Sequence, residues 1–154
     1  MNKMILILSL AVGMYACSGN ASKKEEPAAA GAAETGNPSY DPERGAGKFT
    51  KVDVAASLDK TMADAGQKVY EVKCASCHKL SDEKLVGPGW KGVTGRHKPE
   101  WIMNFATNPD EMLEKDAKAQ AMLELCLVRM PNQNLADEEA RNVYEFMRKN
   151  DGVK

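Results

Sequence analysis

Apolar residues recur with helical spacing in four stretches of the chain. Residues 59–70 repeat an apolar side chain every three or four positions, which predicts a first helix. Prolines at suitable first-turn positions predict a second helix over residues 99–108 and a third over residues 109–129. A fourth helix is predicted from Leu135 to beyond Met147. The pattern therefore predicts an all-α fold without internal repeats.

The four predicted helices each have one apolar face, and two loops separate them. Residues 79–98 are rich in glycine and proline, and residues 130–134 in asparagine and proline, so both stretches are predicted to be structured loops. The inward faces are Met62, Ala63, Gly66, Val69 and Tyr70; Trp101, Ile102 and Phe105; Met112, Leu113, Ala119, Met122, Leu123 and Cys126; and Val143, Tyr144 and Met147.

The N-terminal part of the chain has a different composition. Residues 1–16 place one lysine before a short apolar run and end on a small residue, which is typical of a secretory signal peptide. Residues 17–48 are rich in Ala, Gly, Pro, Lys and Glu, which indicates a flexible tether. Residues 49–154 are predicted to form the folded domain, with residues 49–58 packed on it as an N-terminal extension.

The end of the signal segment, Ala16-Cys17, resembles a bacterial lipoprotein signal. This resemblance implies that Cys17 is the acylated first residue of an exported, periplasmic and membrane-anchored protein. The alternative is an ordinary signal peptide in which Cys17 has no special role.

Length and charge narrow the classes of function. The chain of 154 residues has room for one globular core, and its net charge of -1 provides no basic surface for a nucleic-acid backbone. We therefore expect no nucleic-acid partner.

Cys74-Ala75-Ser76-Cys77-His78 is the strongest chemical motif in the chain. Two thiols one helical turn apart suit attachment to two neighbouring vinyl groups of a porphyrin, and the adjacent imidazole can then ligate the iron. A zinc knuckle would need a second ligand pair, and a redox dithiol would need a thioredoxin-like context. The motif therefore predicts one covalently attached haem c, with His78 as an axial ligand.

A low-spin electron carrier needs a second axial ligand, and a methionine thioether favours ferrous iron. Met130 is the one candidate outside the predicted helices, so we predict that Met130 is the second ligand. The rival methionines lie on helix faces, where methionine more often fills a core. These are Met62, Met103, Met112, Met122 and Met147.

His97 and Cys126 are the remaining candidates for chemistry. His97 stands among polar residues and is expected to be an exposed loop histidine, with ligation of the iron as the alternative. Cys126 has apolar neighbours and no evident disulfide partner, which indicates a buried apolar residue; a free thiol or an intermolecular disulfide is the alternative.

With these motifs in place, the region from about Gly66 to Met147 resembles the class I cytochrome c family. The resemblance rests on landmarks in the same order along the chain. They are Gly66 and Tyr70, the haem motif, Gly87-Pro88, Gly95-Arg96, Met130-Pro131, and Leu135 with Val143 and Tyr144. The resemblance implies a small all-α fold around one haem, in which Gly66 and Tyr70 pack near Val143 and Tyr144.

The resemblance also implies roles for residues around the haem. The carbonyl of Pro88 would accept the ring N–H of His78, Arg96 and Trp101 would bind a haem propionate, and Trp90 would form an apolar wall. The chain departs from the family pattern by the large indole in Gly89-Trp90 and by a long third helix.

These features predict a non-enzymatic electron carrier whose iron cycles between ferric and ferrous. The expected partners are redox proteins: a quinol-oxidising membrane complex as donor, and a terminal oxidase or reductase as acceptor. One alternative is a haem subunit fixed in a larger respiratory complex. Another is a haem enzyme or gas sensor with an open sixth position.

Overall fold

The computed structural model of the chain describes residues 40–154, and this part of the protein is all-α. Outside the helices, β-type pairing in these residues is limited to two isolated bridges. The all-α prediction is therefore confirmed. The helices, in chain order, are α1 Lys60–Lys73, α2 Val93–Arg96, α3 Pro99–Thr107, α4 Pro109–Lys115, α5 Ala117–Cys126 and α6 Asp137–Asn150.

The first and last helices, α1 and α6, cross in close contact. A Cβ added to Gly66 would lie 2.0 Å from the carbonyl oxygen of Asn142, so glycine is what lets the two backbones approach. The rings of Tyr70 and Phe146 meet beside this crossing, with centroids 5.4 Å apart. The resemblance implied that Gly66 and Tyr70 pack near Val143 and Tyr144. Gly66 does lie against Val143, since an added Cβ would be 2.8 Å from its nitrogen, and the ring of Tyr70 meets that of Phe146. This crossing supports the loop that carries the haem motif.

The predicted third helix is in fact two helices, α4 and α5, separated at Asp116. Asp116 has an extended backbone (φ -105°, ψ 121°), and its carboxylate caps the first turn of α5. The same carboxylate accepts a hydrogen bond from the hydroxyl of Tyr40, with an O–O distance of 2.6 Å. The prediction of one helix to residue 129 is therefore wrong. The helix breaks where a buried carboxylate has two partners, and α5 ends at Cys126 because Leu127 is left-handed (φ 60°).

A short helix, α2, lies inside the stretch predicted to be only a loop. The carboxylate of Asp151 accepts hydrogen bonds from the backbone N–H groups of Gly92 and Thr94, at 2.6 and 2.9 Å. These bonds satisfy N–H groups at the start of α2. The helix was not predicted because its stabilising carboxylate comes from just beyond α6, far along the chain.

The N-terminal extension is longer than predicted, and it begins at or before Tyr40. Ala46 is 8% exposed, and its N–H lies 3.1 Å from the sulfur of Met112. The buried amide of Asn104 accepts a hydrogen bond from the N–H of Phe49 and donates one to its carbonyl. Residues 40–48, which the composition assigned to a flexible tether, are therefore packed on the domain. The extension is held by side chains of α3, α4 and α5.

The predicted signal peptide, the acylated Cys17 and residues 17–39 of the tether lie outside the described residues. Within residues 40–154, none of the helices has both the length and the apolar character needed to span a bilayer.

Candidate functional site

The haem motif forms a tight turn at the end of α1. Cys74 is the C-cap of α1, and its carbonyl accepts hydrogen bonds from the N–H groups of Cys77 and His78, each at 3.0 Å. Both cysteines are free thiols; Cys74 is 7% exposed and Cys77 is half-buried. Burial raises the pKa of Cys74 to about 11, so this group is a neutral thiol at pH 7.

His78 is held by two hydrogen bonds that fix its ring and its backbone. Its Nδ1 lies 2.9 Å from the carbonyl oxygen of Pro88. Because a carbonyl only accepts, Nδ1 must carry the proton, and the lone pair of Nε2 is left free to bind a metal. The hydroxyl of Tyr70 donates to the carbonyl of His78 at 2.8 Å. Burial lowers the pKa of His78, which favours the neutral ring.

The loop after the motif returns against it, and Gly87 lies directly against one side of the imidazole. The N–H of Gly87 donates to the carbonyl of Cys77 at 2.9 Å. A Cβ on Gly87 would lie 2.3 Å from Cε1 of His78, so a side chain at this position would displace the ring. Gly87 thus lets the Pro88 carbonyl reach His78.

A cavity of about 570 Å³ opens beside the motif. All eight residues predicted for the site lie on its wall, and the structure therefore brings them together. They are Cys74, Cys77, His78, Pro88, Trp90, Arg96, Trp101 and Met130. Most of the remaining wall is apolar. It includes Val93, Ile102, Phe105, Leu113, Met122, Leu123, Leu135, Val143 and Met147.

Trp90 and Arg96 lie on the wall formed by residues 79–98. Trp90 is 6% exposed, and its ring centroid is 4.9 Å from that of Tyr70 and 5.5 Å from that of His78. The guanidinium of Arg96 donates to the carbonyls of Lys91 and Gly89, at 2.6 and 3.3 Å. Arg96 therefore stabilises its own loop and is at the same time part of the cavity wall.

His97 is not the exposed residue that its polar neighbours predicted. It is half-buried on the cavity wall, and its ring is stacked on Trp101 with centroids 4.0 Å apart and planes 14° apart. Within residues 40–154, His97 Nδ1 and Trp101 Nε1 are buried without a hydrogen-bond partner. The exposed-loop prediction is wrong because α3 places Trp101 under the imidazole.

Met130 lies in the loop between α5 and α6, half-buried on the cavity wall. Of the rival methionines, Met122 and Met147 also line the cavity. Met62, Met103 and Met112 are not among its lining residues. Within residues 40–154, Met130 is therefore the one cavity methionine that lies in a loop.

Sequence reasoning missed two contributions to the site. One is the hydroxyl of Tyr70, whose bond to His78 could have been suspected from an aromatic residue two helical turns before the imidazole. The other is Cys126, which was expected in the core but is a half-buried free thiol on the cavity wall.

The observed residues fit a covalently bound haem. Two thiols, a neutral imidazole and a thioether share one mainly apolar cavity, and these are the groups that attach and ligate haem iron. Two buried nitrogens without partners lie on the same wall, where carboxylates could bind them.

Comparison with protein families gives a match to the family described as Cytochrome c, over residues 63–151. Among solved structures, a cytochrome c from Rhodothermus marinus is similar, with 30% identity and a TM-score of 0.69. The similarity covers 72% of this chain and 97% of that protein.

Two engineered forms of the Rhodothermus marinus protein are also similar. One has 29% identity and a TM-score of 0.68; the other, bound to a carbene intermediate, has 30% identity and a TM-score of 0.66. Each comparison covers 72% of this chain and 98% of the other. Comparison with curated protein sequences gives no significant match.

Proposed function

This chain belongs to the cytochrome c family, whose members transfer electrons with covalently bound haem, and on that premise we propose that it carries single electrons on one haem c. It would act as a carrier between other redox proteins and not as an enzyme. The observation that carries the proposal is the hydrogen bond from His78 to Pro88 on the wall of a cavity that also contains both motif thiols.

Each of these residues would have a distinct role in binding the haem. Cys74 and Cys77 would each add S–H across a vinyl double bond, which needs no oxidant. His78 would ligate the iron from one face, oriented by Pro88, and Met130 from the other. Bound haem supplies a one-electron couple between ferric and ferrous iron. Trp90 and the other apolar walls would keep water from the iron, and Arg96 and Trp101 would bind a propionate.

Haem counting tests this proposal directly. The chain, expressed with a haem-attachment system, should stay coloured after denaturing electrophoresis and contain one haem per chain. Replacing both Cys74 and Cys77 by alanine should remove the colour, while Cys126→Ala should retain it. Absence of haem from the wild-type chain, or a ratio of two, would contradict the proposal.

Exposed apolar residues lie on the cavity wall and next to it in the chain, and we assign them to partner docking. Within residues 40–154 the exposed large apolar residues, here called the apolar rim, are Val72, Val86 and Val128, which line the cavity, and Leu85, Leu125 and Leu127, each of which adjoins a cavity-lining residue in the sequence. Val72 and Leu127 are each 84% exposed. Contiguous exposed apolar surface is uncommon in a monomer and usually marks an interface.

Positively charged side chains beside the apolar rim form ion pairs or hydrogen bonds with other residues of the chain. Lys73 pairs with Glu139, and Arg129 pairs with Asp110, each at 3.0 Å. Lys84 donates to the carbonyl of Leu125 at 2.9 Å. We therefore propose that the partner is a redox protein with an apolar docking surface and little net charge at the contact.

Electron self-exchange between ferric and ferrous copies probes the apolar rim without a known partner. Its rate, measured by NMR line broadening, should change less than about twofold between low and high salt. The double variant Val72→Ser and Leu127→Ser should slow exchange by roughly tenfold or more, because apolar contact area is lost. An Ala56→Ser control should have no effect. A steep salt dependence, or an unchanged rate in the double variant, would count against this docking surface.

The proposed location of the protein is the periplasm, with a lipid anchor in a membrane. Members of the family are generally exported, and the residues before the domain suggest a signal peptide over 1–16 and a lipid on Cys17. A periplasmic carrier tethered to a membrane would meet a quinol-oxidising complex and a terminal oxidase or reductase at raised effective concentration. Mass spectrometry of the mature N-terminus tests the lipid.

Two alternatives share the haem but differ in use. A subunit fixed in a larger complex would co-purify with it at a constant ratio after detergent extraction, whereas a carrier would be recovered free. A gas-binding protein would have an open sixth position, and its ferrous form would bind carbon monoxide without treatment.

A further inference from the structure

We propose that His97 is a proton-binding residue of the haem cavity, and that its protonation is coupled to the oxidation state of the iron. This inference rests on the proposed function, since it needs a haem in the cavity. His97 would be a positioning residue that sets the redox potential and would not itself accept the electron.

The first support is the place of the imidazole. His97, Trp101 and Phe105 form a continuous stack, with centroid distances of 4.0 and 5.3 Å, and all three rings line the cavity. The stack fixes the plane of the imidazole, so its nitrogens cannot turn away freely to find other partners. Any charge on this ring is therefore held at the cavity wall.

The second support is an unsatisfied nitrogen. Nδ1 of His97 is buried and has no hydrogen-bond partner among residues 40–154. Buried polar groups are nearly always paired, so an unpaired one on a cavity wall calls for a partner such as water, an ion or a ligand. A carboxylate of the bound group is a suitable acceptor for an imidazole N–H, and this contact would link the charge on His97 to the haem.

The third support is the charge around the ring. Burial is the main cause that lowers the pKa of His97, followed by the positive charges of Lys118 on α5 and of Arg96; Asp116 and Glu43 oppose them. Lys118 and Glu43 form an ion pair at 2.7 Å, and the Asp116 carboxylate is bound to Tyr40, so these charges are held in place. Without a bound carboxylate, burial and these positive charges therefore favour the neutral imidazole; a carboxylate beside Nδ1 would oppose them and raise the pKa of His97.

The coupling follows from electrostatics. Ferric iron has one more positive charge than ferrous iron, so the pKa of His97 should be lower in the ferric protein. A unit charge about 10 Å away, at an effective dielectric constant of about 20, changes an acid dissociation constant by about tenfold. The redox potential should therefore fall as the pH rises between the ferric and the ferrous pKa, and should be level above and below that interval.

The test is the midpoint potential of the haem-loaded protein, measured between about pH 4.5 and 8.5. The wild type should show the falling segment within this range, and His97→Gln, which keeps a neutral polar side chain, should be level there. NMR titration of the His97 ring should show acid dissociation constants that differ about tenfold between the two oxidation states. Lys118→Gln should move the falling segment to higher pH, because it removes a positive charge near the ring.

The outcomes separate this inference from the proposed function. A reversible one-electron wave that has the same pH dependence in the wild type and in His97→Gln overturns the role of His97 and leaves the carrier intact. Equal His97 dissociation constants in both oxidation states overturn it as well. A protein that gives no one-electron wave at any pH contradicts the proposed function itself.

Discussion

Replacing Met130 by alanine is expected to abolish the sulfur-to-iron charge-transfer band of the ferric protein and to lower its redox potential. The thioether stabilises ferrous iron, and the other methionines that line the cavity within residues 40–154, Met122 and Met147, lie in helices. The measurement is a ferric absorption spectrum and a potentiometric titration of the wild type beside the variant. Carbon monoxide should also bind the ferrous variant, because the sixth position would be open.

Met122→Ala is the matched control for this experiment. Met122 is also half-buried on the cavity wall, but it lies in α5 and is predicted to fill space. Its removal should leave the band in place. If the band is present in the wild type and survives in Met130→Ala, then another residue is the ligand. Loss of the band in Met122→Ala alone would assign the ligand to Met122.

Replacing Gly66 by alanine is expected to destabilise the fold by more than about 3 kcal/mol. The added Cβ would lie 2.0 Å from the carbonyl oxygen of Asn142 and 2.8 Å from the nitrogen of Val143, so α1 and α6 would have to separate. At roughly 3–6 °C per kcal/mol for a domain slightly larger than about 100 residues, the melting temperature should fall by about 10 °C or more. Thermal unfolding followed by circular dichroism measures this.

Gly95→Ala provides the comparison for the same substitution. A Cβ at Gly95 meets no atom within 4 Å, and Gly95 lies within the helix α2. Alanine there should leave the stability unchanged or raise it by up to about 1 kcal/mol. Equal melting temperatures for the two variants would mean that the close crossing of α1 and α6 is not what stabilises the domain.

The sequence predicted those helices whose start signals lie within their own first turn. Asp59 caps α1 by accepting from the N–H of Met62, and Pro99 and Pro109 occupy first turns. Each of these signals acts within one turn, so a local pattern is sufficient. The haem motif is local in the same way, because its residues are within one turn of each other.

Features that depend on distant partners were not predictable. Asp116 breaks a helix because Tyr40 reaches it from the N-terminal extension, and α2 depends on Asp151. Glu145 is a charged residue of the last helix, yet it is fully buried. It accepts hydrogen bonds from Arg141, Arg148 and the backbone N–H of Asp59.

In the candidate site, too, locally coded features were predicted and features that depend on distant residues were not. Spacing alone brought together the thiols and His78, whereas the role of Pro88 came only from the family resemblance. His97 was misjudged because Arg96 and Lys98 beside it are exposed, while its own ring stacks on a residue of the next helix. Local polarity therefore failed where a tertiary contact decided the orientation.

The close approach of α1 and α6 also bears on how fast the domain folds. Gly66 and Asn142 are about 75 positions apart, and closing a loop of that length costs about 4 kcal/mol in chain entropy. A helical protein normally folds quickly because its contacts are local in sequence. Here the contacts between α1 and α6, the first and last helices, join residues far apart in sequence and so raise the contact order. We therefore expect folding to be slower than in simple helical bundles, with the rate set by the encounter of the two terminal helices.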